Sequence, residues 1–279
     1  MNIFKKIYNG AVNAAKSALF QKLIRREPVV IRDVTTNLLS GKSAIVTGGN
    51  SGIGYAIAKK FIEAGAEQVT IIGRNADKTK SVAEELGCSY LVLDVTDIDA
   101  MVNIVSAYIA NRKVDILVNS AGVLDKEPWL EKTSKGFDVV MNTNLKAAYF
   151  MSQTIAKHMV SKGIHGHILN ISSSSSKRPG WGPYQLSKHA LNAMTEGFAH
   201  NLACHGITVN GIAPGITATP MQDGNLEEGS LTYNNPMRRA QSPEEIANLA
   251  VFMVSDLGNS IIGDTVMMTG GSGNLSIHG

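Results

Sequence analysis

Downstream of Pro28 the apolar residues of this 279-residue chain follow two alternating patterns. Short apolar runs recur at 43–47 (SAIVT), 68–73 (QVTIIG), 90–94 (YLVLD), 115–119 (DILVN), 167–172 (HILNIS) and 208–213 (TVNGIA), and a last one, TVMM, lies near the C-terminus. Between them run stretches of roughly 12 to 20 residues with helical apolar spacing, such as YAIAKKFIEAG after the first run. A strand buried on both faces needs no polar alternation, and strands separated by helices become parallel through right-handed crossovers. The pattern therefore predicts an α/β protein with a doubly wound parallel sheet of about seven strands and helices on both faces. There are no internal repeats, and the single low-complexity stretch, SSSSS (172–176), reads as a loop at a strand end.

In such a sheet, ligands lie beyond the carboxyl ends of the strands. Those ends carry small or polar groups here: Thr47-Gly48-Gly49, Gly73-Arg74, Asp94-Val95, Asn119-Ser120-Ala121-Gly122, Ser172-Ser173 and Pro214-Gly215. The stretch TGGNSGIG (47–54) joins the first strand to its helix. Gly48 suits a tight turn, Gly52 allows a pyrophosphate close to the backbone, and Gly54 allows the helix to pack on the strand, with free N–H groups facing the anion. Glycines also occur in ordinary strand-to-helix turns, so the signal is moderate by itself. With it the sheet reads as Rossmann-type.

The net charge of +3 conceals an uneven distribution. Lys5, Lys6, Lys16, Lys22, Arg25 and Arg26 all lie in residues 1–26, which hold no acidic side chain, so the remainder is mildly acidic. That balance argues against a nucleic-acid groove across the body. Apolar residues at helical spacing face the lysines, so residues 1–40 are expected to form a basic amphipathic helical extension, and residues 41–279 a single dinucleotide-binding catalytic domain. The helix either packs on the protein itself or a neighbouring subunit, or makes peripheral contact with an anionic membrane. Cys88 and Cys204 have no metal-ligand spacing, and no metal site is expected. With no apolar run long enough to span a bilayer and no cleavable leader, a cytoplasmic protein is expected.

The stretch YQLSK puts Tyr184 and Lys188 four residues apart, on one face of a helix. A nearby ammonium favours the phenolate and would bring a phenol toward useful proton transfer. Alone, such a pair is an ordinary helix surface. Together with TGGNSGIG, LDVTD, NSAG, NTNL, the serine run, PGITATP and SPEEIA, it resembles the classical short-chain dehydrogenase/reductase family over about residues 41–273.

The resemblance implies a catalytic set of Asn144, Ser173, Tyr184 and Lys188, with Ser172 a rival for the serine because the spacing to Tyr184 is short. It implies cofactor contacts from Gly48, Asn50, Ser51, Gly52, Ile53 and Gly54 at the diphosphate, Asp94 and Val95 at the adenine, Asn119, Ala121 and Gly122 beside the ribose, Tyr184 and Lys188, and Pro214, Gly215 and Thr219 at the nicotinamide. Ser120 departs from the family's usual asparagine. At the end of the second strand Gly73 replaces the acidic residue that reads a ribose 2′-hydroxyl, and Arg74 follows, which favours NADP(H) and leaves NAD(H) as the alternative.

The expected activity is hydride transfer between nicotinamide and a carbonyl or secondary alcohol, in a homo-oligomer (dimer or tetramer). Candidate substrate loops are 123–134, 177–182 and 221–239, with Trp129, Trp181, Met221, Tyr233, Lys126, Arg178 and Arg238. The competing reading is a non-catalytic dinucleotide sensor or scaffold tethered through its N-terminal helix. An epimerase or dehydratase of a related branch would need a longer C-terminal part.

Overall fold

The computed structural model describes residues 37–124, 127–222 and 235–272. The predicted N-terminal helix, Lys126 and Tyr233 lie outside the described residues. Residues 37–40, assigned from sequence to the extension, pack on the body: Leu39 is fully buried and Ser40 pairs with Ala66.

All seven apolar runs are strands, within two residues of their sequence bounds. They are β1 (Ser43–Thr47), β2 (Gln68–Gly73), β3 (Ser89–Val92), β4 (Ile116–Asn119), β5 (His167–Ile171), β6 (Thr208–Pro214) and β7 (Thr265–Met268). They form one parallel sheet in the order β3-β2-β1-β4-β5-β6-β7. Helices α1 (Gly52–Glu63), α2 (Ala76–Leu86), α3 (Ile98–Ile109), α4 (Ser134–Met141), α5 (Ala147–Lys162), α6 (Pro183–Leu202) and α7 (Pro243–Met253) connect them.

Successive strand residues face opposite sides, so each unbroken apolar run feeds two cores. Val46, Val118 and Leu169 pack with Ile57 and Phe61 of α1 and Ile246 and Val251 of α7. Ile45, Leu117 and Ile168, one residue away, pack with Met101 and Val105 of α3 and Met151 and Ile155 of α5. Burying whole strands in this way stabilises the fold by about 25 cal/mol for each Å² of apolar surface removed from water, the main force behind the layer order.

The chain runs outward from β1 to β3, then returns to place β4 against β1, and at that reversal the following connections diverge to opposite faces. The register keeps the strand ends level there: Thr47 is beside Asn119, and Asn119 beside Asn170. These ends are tied by side chains. Thr47 Oγ1 accepts from the Ser120 and Ala121 amides (3.1 and 3.2 Å). Asn119 Nδ2 donates to Asn170 Oδ1 and Ser152 Oγ, both at 2.8 Å.

Two local features position the site. Pro183 begins α6, where a missing N–H costs nothing, after Gly182 at the cap. Between α4 and α5 the helix widens into a π turn over Asn142–Lys146, the irregularity that inserts an extra residue into a helix. The serine stretch is tighter than the loop expected from sequence: Ser173 accepts from the Ser175 amide and caps a short 3₁₀ turn over Ser174–Lys177.

Candidate active site

A cleft of about 800 Å³ opens at the carboxyl ends of β1, β4, β5 and β6. One side is the glycine turn. A Cβ on Gly48 would lie 3.0 Å from the backbone of Ala121, and one on Gly54 would lie 2.4 Å from the Gly48 carbonyl oxygen. Neither obstacle is a side chain that can move. The α1 N-terminus, preceded by extended Ser51 whose side chain makes no cap hydrogen bond, opens into the cleft. A glycine cradle against bare helix N–H groups fits the diphosphate of a dinucleotide.

The opposite side holds the tyrosine and lysine singled out in YQLSK. Tyr184 is on the first turn of α6 and Lys188 one turn later, with its Nζ 5.8 Å from the Tyr184 ring centre. Lys188 is buried, and its Nζ donates to the Ile171 carbonyl at the end of β5 (2.8 Å). Burial lowers its ammonium to about 8. The Ser173 hydroxyl lies within hydrogen-bonding reach of the Tyr184 hydroxyl.

The Tyr184 hydroxyl departs from the sequence expectation. Burial pushes its pKa above the ordinary phenol value, and the Ser173 hydrogen bond pulls it down by less. The reason is geometric: Lys188 spends its ammonium on a backbone carbonyl and sits beside the ring, not against the oxygen.

The two rival serines are separated by their partners. Ser172 is buried and donates to Asn192 Oδ1 (2.6 Å), whose Nδ2 donates in turn to Ser176 Oγ (2.9 Å). That is an internal brace, and it leaves Ser173 as the serine beside the tyrosine.

Asn144, buried in the π turn, spends its side chain on its surroundings. Its Oδ1 accepts from the Val123 amide (2.8 Å), and its Nδ2 donates to the Val123 carbonyl (3.0 Å) and to Ser187 Oγ (3.2 Å). Ser187 donates to the Tyr184 carbonyl (2.7 Å), so Asn144 joins the loop after β4 to the helix bearing the tyrosine. Ser187 was not singled out in the sequence, because a serine inside YQLSK gives no sign of which neighbour it will meet.

The cleft gathers Gly48, Ser51, Gly52, Ile53, Gly54, Ala121, Gly122, Ser173, Tyr184, Lys188, Pro214, Gly215 and Thr219. It also gathers Ser172, the rival serine, but not the other residues predicted for the catalytic and cofactor sites. Asn119 is buried in the sheet brace, and Val95 packs among apolar side chains of the α3/α5 face. Asn50 donates to Thr79 Oγ1 (2.9 Å). Arg74 and Asp94 are exposed at the β2 and β3 ends, and the Asp94 carboxyl is held low mainly by the Thr96 amide and hydroxyl, with a smaller contribution from Arg74.

Of the loop residues, Trp129, Arg178, Trp181 and Met221 line the cleft, as do Leu124 of the 123–134 loop, Ser175 of the serine run, and Gln185, Ile216 and Thr217, none of them named individually from the sequence. Arg178 also donates to Ser272 Oγ (3.2 Å). Arg238 is outside the cleft lining, in a left-handed backbone conformation (φ 56°). Among the described residues there is no cluster of three or more histidine, cysteine or acidic side chains able to hold a metal, and no helix long and apolar enough to cross a membrane.

Comparison with known proteins agrees with this geometry. A family model described as enoyl-(acyl carrier protein) reductase matches residues 48–272. Gluconate 5-dehydrogenase of Gluconobacter oxydans is 38% identical over 245 residues, covering 84% of this chain and 95% of that protein. The 3alpha-hydroxysteroid dehydrogenase of Mediterraneibacter gnavus is 36% identical over 248 residues, covering 84% and 97%. The crystal structure of a gluconate 5-dehydrogenase from Burkholderia cenocepacia, in complex with NADP and tartrate, superimposes with a TM-score of 0.78 at 29% identity, over 85% of this chain and 98% of that one. The chain belongs to the classical short-chain dehydrogenase/reductase family. It is an NAD(P)-dependent oxidoreductase acting on CH–OH and C=O groups.

Proposed function

We propose that the chain is an NADP(H)-preferring dehydrogenase/reductase in which Tyr184 exchanges the proton on the substrate oxygen and Ser173 orients that oxygen. The observation that carries this reading is the convergence of the two hydroxyls, backed by buried Lys188, on the cleft that also contains the glycine cradle. The nicotinamide dinucleotide, when bound, supplies or accepts the hydride. Its diphosphate would be held by the Gly48–Gly54 turn, and its nicotinamide end by Pro214, Gly215 and Thr219.

Because burial raises the Tyr184 pKa, the phenol holds its proton at neutral pH and is ready to donate it to a developing alkoxide. Carbonyl reduction is the direction this favours at neutral pH. Lys188 orients the ring by anchoring to the Ile171 carbonyl, and provides a nearby group titrating near pH 8. Asn144 positions α6 through Val123 and Ser187, its side-chain amide being fully engaged there. Preference for NADP(H) rests on Gly73 and exposed Arg74, whose guanidinium suits a 2′-phosphate.

The substrate class that fits is a polyhydroxylated acid. Hydroxyl and amide groups of Ser174, Ser175 and Gln185 line the cleft with the Arg178 guanidinium, a set suited to hydroxyls and one carboxylate, and two of the similar proteins are gluconate dehydrogenases. The test is nucleotide reduction with gluconate against a steroid alcohol and a simple secondary alcohol, in wild type and Tyr184→Phe. Turnover retained by the phenylalanine variant would refute the assignment.

Assembly as a homo-oligomer is part of the same proposal. Leu145, Tyr149, Met194 and Phe198 line a shallow apolar depression on the π turn, α5 and α6, with Tyr149 packed edge-on against Phe198 (5.1 Å between ring centres). An apolar patch of this kind suits a second copy of the chain.

A further inference from the structure

We propose that Asn50 and Thr79 close the end of β2 to any side chain, and so exclude the acidic residue that would select NAD(H). The inference rests on the NADP(H) reading above. Selection of the 2′-hydroxyl form depends on a carboxylate at the end of the second strand, accepting from the ribose. Gly73 occupies that position, as the last residue of β2.

What surrounds Gly73 explains why it is glycine. A Cβ built there would lie 2.4 Å from Asn50 Nδ2, 2.4 Å from Thr79 Oγ1 and 2.9 Å from Asn50 Cγ. These atoms cannot all retreat. Thr79 is fully buried, and its Oγ1 donates to the Asn75 carbonyl (2.6 Å) while accepting from Asn50 Nδ2 (2.9 Å). Asn75 is fixed as well, because its Oδ1 caps α2 by accepting from the Lys78 amide (2.9 Å). Thr79 is also β-branched, and its side chain cannot turn aside without an eclipsed rotamer or the loss of that bond.

The chain Asn50–Thr79–Asn75 therefore links the glycine turn to the start of α2 and fills the space in which a side chain at position 73 would begin. Aspartate there meets the same obstruction as alanine, with a charge added beside a polar pair already bonded. The next side chain, Arg74, is exposed at the strand end and carries a positive charge there, with the Asp94 carboxylate near enough to be lowered by it. Asn50 and Thr79 thus act as positioning residues for cofactor choice without needing to touch the nucleotide.

The test compares wild type, Gly73→Ala, Gly73→Asp, and the Asp variant combined with Asn50→Ala and Thr79→Ala. Dissociation constants for NADPH and NADH are read by fluorescence titration, and melting temperatures by circular dichroism. Both single variants should melt below wild type, and Gly73→Asp should gain no affinity for NADH. In the triple variant, with the space opened, NADH should bind at least about tenfold more tightly than in Gly73→Asp, with the preference reversed toward NADH. A Gly73→Asp protein that melts like wild type and already favours NADH would overturn the proposal, as would a triple variant with no gain for NADH. A wild type that prefers NADH would defeat the NADP(H) reading and the selecting role with it. Closure is still judged in that case by Gly73→Ala, whose unchanged melting would show that the space is open.

Discussion

At the residue scale, the proposed chemistry rests mostly on one tyrosine, whose environment is set by burial more than by charge. Tyr184 lies four residues from a lysine in sequence, yet the lysine faces a backbone carbonyl and the phenol keeps its proton. Replacing Tyr184 with phenylalanine should lower kcat by about 10²- to 10⁴-fold, with nucleotide affinity nearly unchanged in a fluorescence titration. The pH dependence has a sign in each direction. Reduction uses the protonated phenol and should hold its rate through neutrality, whereas alcohol oxidation needs the phenolate and should rise steadily with pH into the alkaline range. Paired kcat/KM profiles for the two directions check this.

The neighbouring serines should part company. Ser173→Ala should reduce turnover and leave melting close to wild type. Ser172→Ala, which strands the Asn192 Oδ1 it now satisfies, should cost about 1–3 kcal/mol of stability. Melting curves and steady-state rates on the two variants separate the roles.

At the element scale, the site depends on how helices begin and where they widen. The α1 N-terminus can approach the glycine turn because position 54 has no side chain, and the backbone oxygen 2.4 Å from a Cβ there cannot step aside. Gly54→Ala should cost about 1–3 kcal/mol and lower Tm by several degrees in a thermal melt, with weakened nucleotide binding. Helix α7 is fixed by a complete capping box, in which Ser242 Oγ accepts from the Glu245 amide and Glu245 Oε2 accepts from the Ser242 amide (3.2 and 2.9 Å). Glu245 also makes two bonds to Arg239 (2.8 and 2.6 Å), which hold its carboxyl below the usual range. That contribution is present above the ordinary glutamate pKa and lost as pH falls through the lowered one.

At the scale of the whole molecule, the sheet has a weakness at the amino ends of its strands, away from the cleft. His167 is buried at the start of β5, its Nδ1 sharing a hydrogen bond with Thr208 Oγ1 (2.8 Å). Burial first, then Lys42, lowers its pKa to about 4, against smaller opposing effects of Asp256 and Asp115. Its ordinary value is near 6.5, so the folded state resists a proton that the unfolded chain accepts. Stability from this site is complete above about pH 6.5 and should fall by roughly 3 kcal/mol as pH drops toward 4. His167→Gln should flatten the pH dependence of urea midpoints across that interval. Assembly is testable at the same scale: Tyr149→Asp should shift the protein to smaller species in light scattering if α5 and α6 carry the interface.

The seven strands, their parallel arrangement and the glycine turn were legible in the chain because periodicity and turn chemistry act over a few residues, and both survive any tertiary arrangement. Asn144, Tyr184 and Lys188 could be found through their spaced motifs. The partners of Ser172 and Ser173 could not, because both border the cleft and only packing shows that one meets Asn192 and the other Tyr184. Thr79 gave no signal at all, since its importance lies in Gly73 and Asn50, which reach it from other elements. Local pattern alone thus determined the order of strands and helices, and which small and polar residues would end the strands. The tertiary structure decided which serine meets the tyrosine, how burial sets the phenol's proton, and why no side chain fits at position 73, because each depends on contacts between residues far apart in the chain.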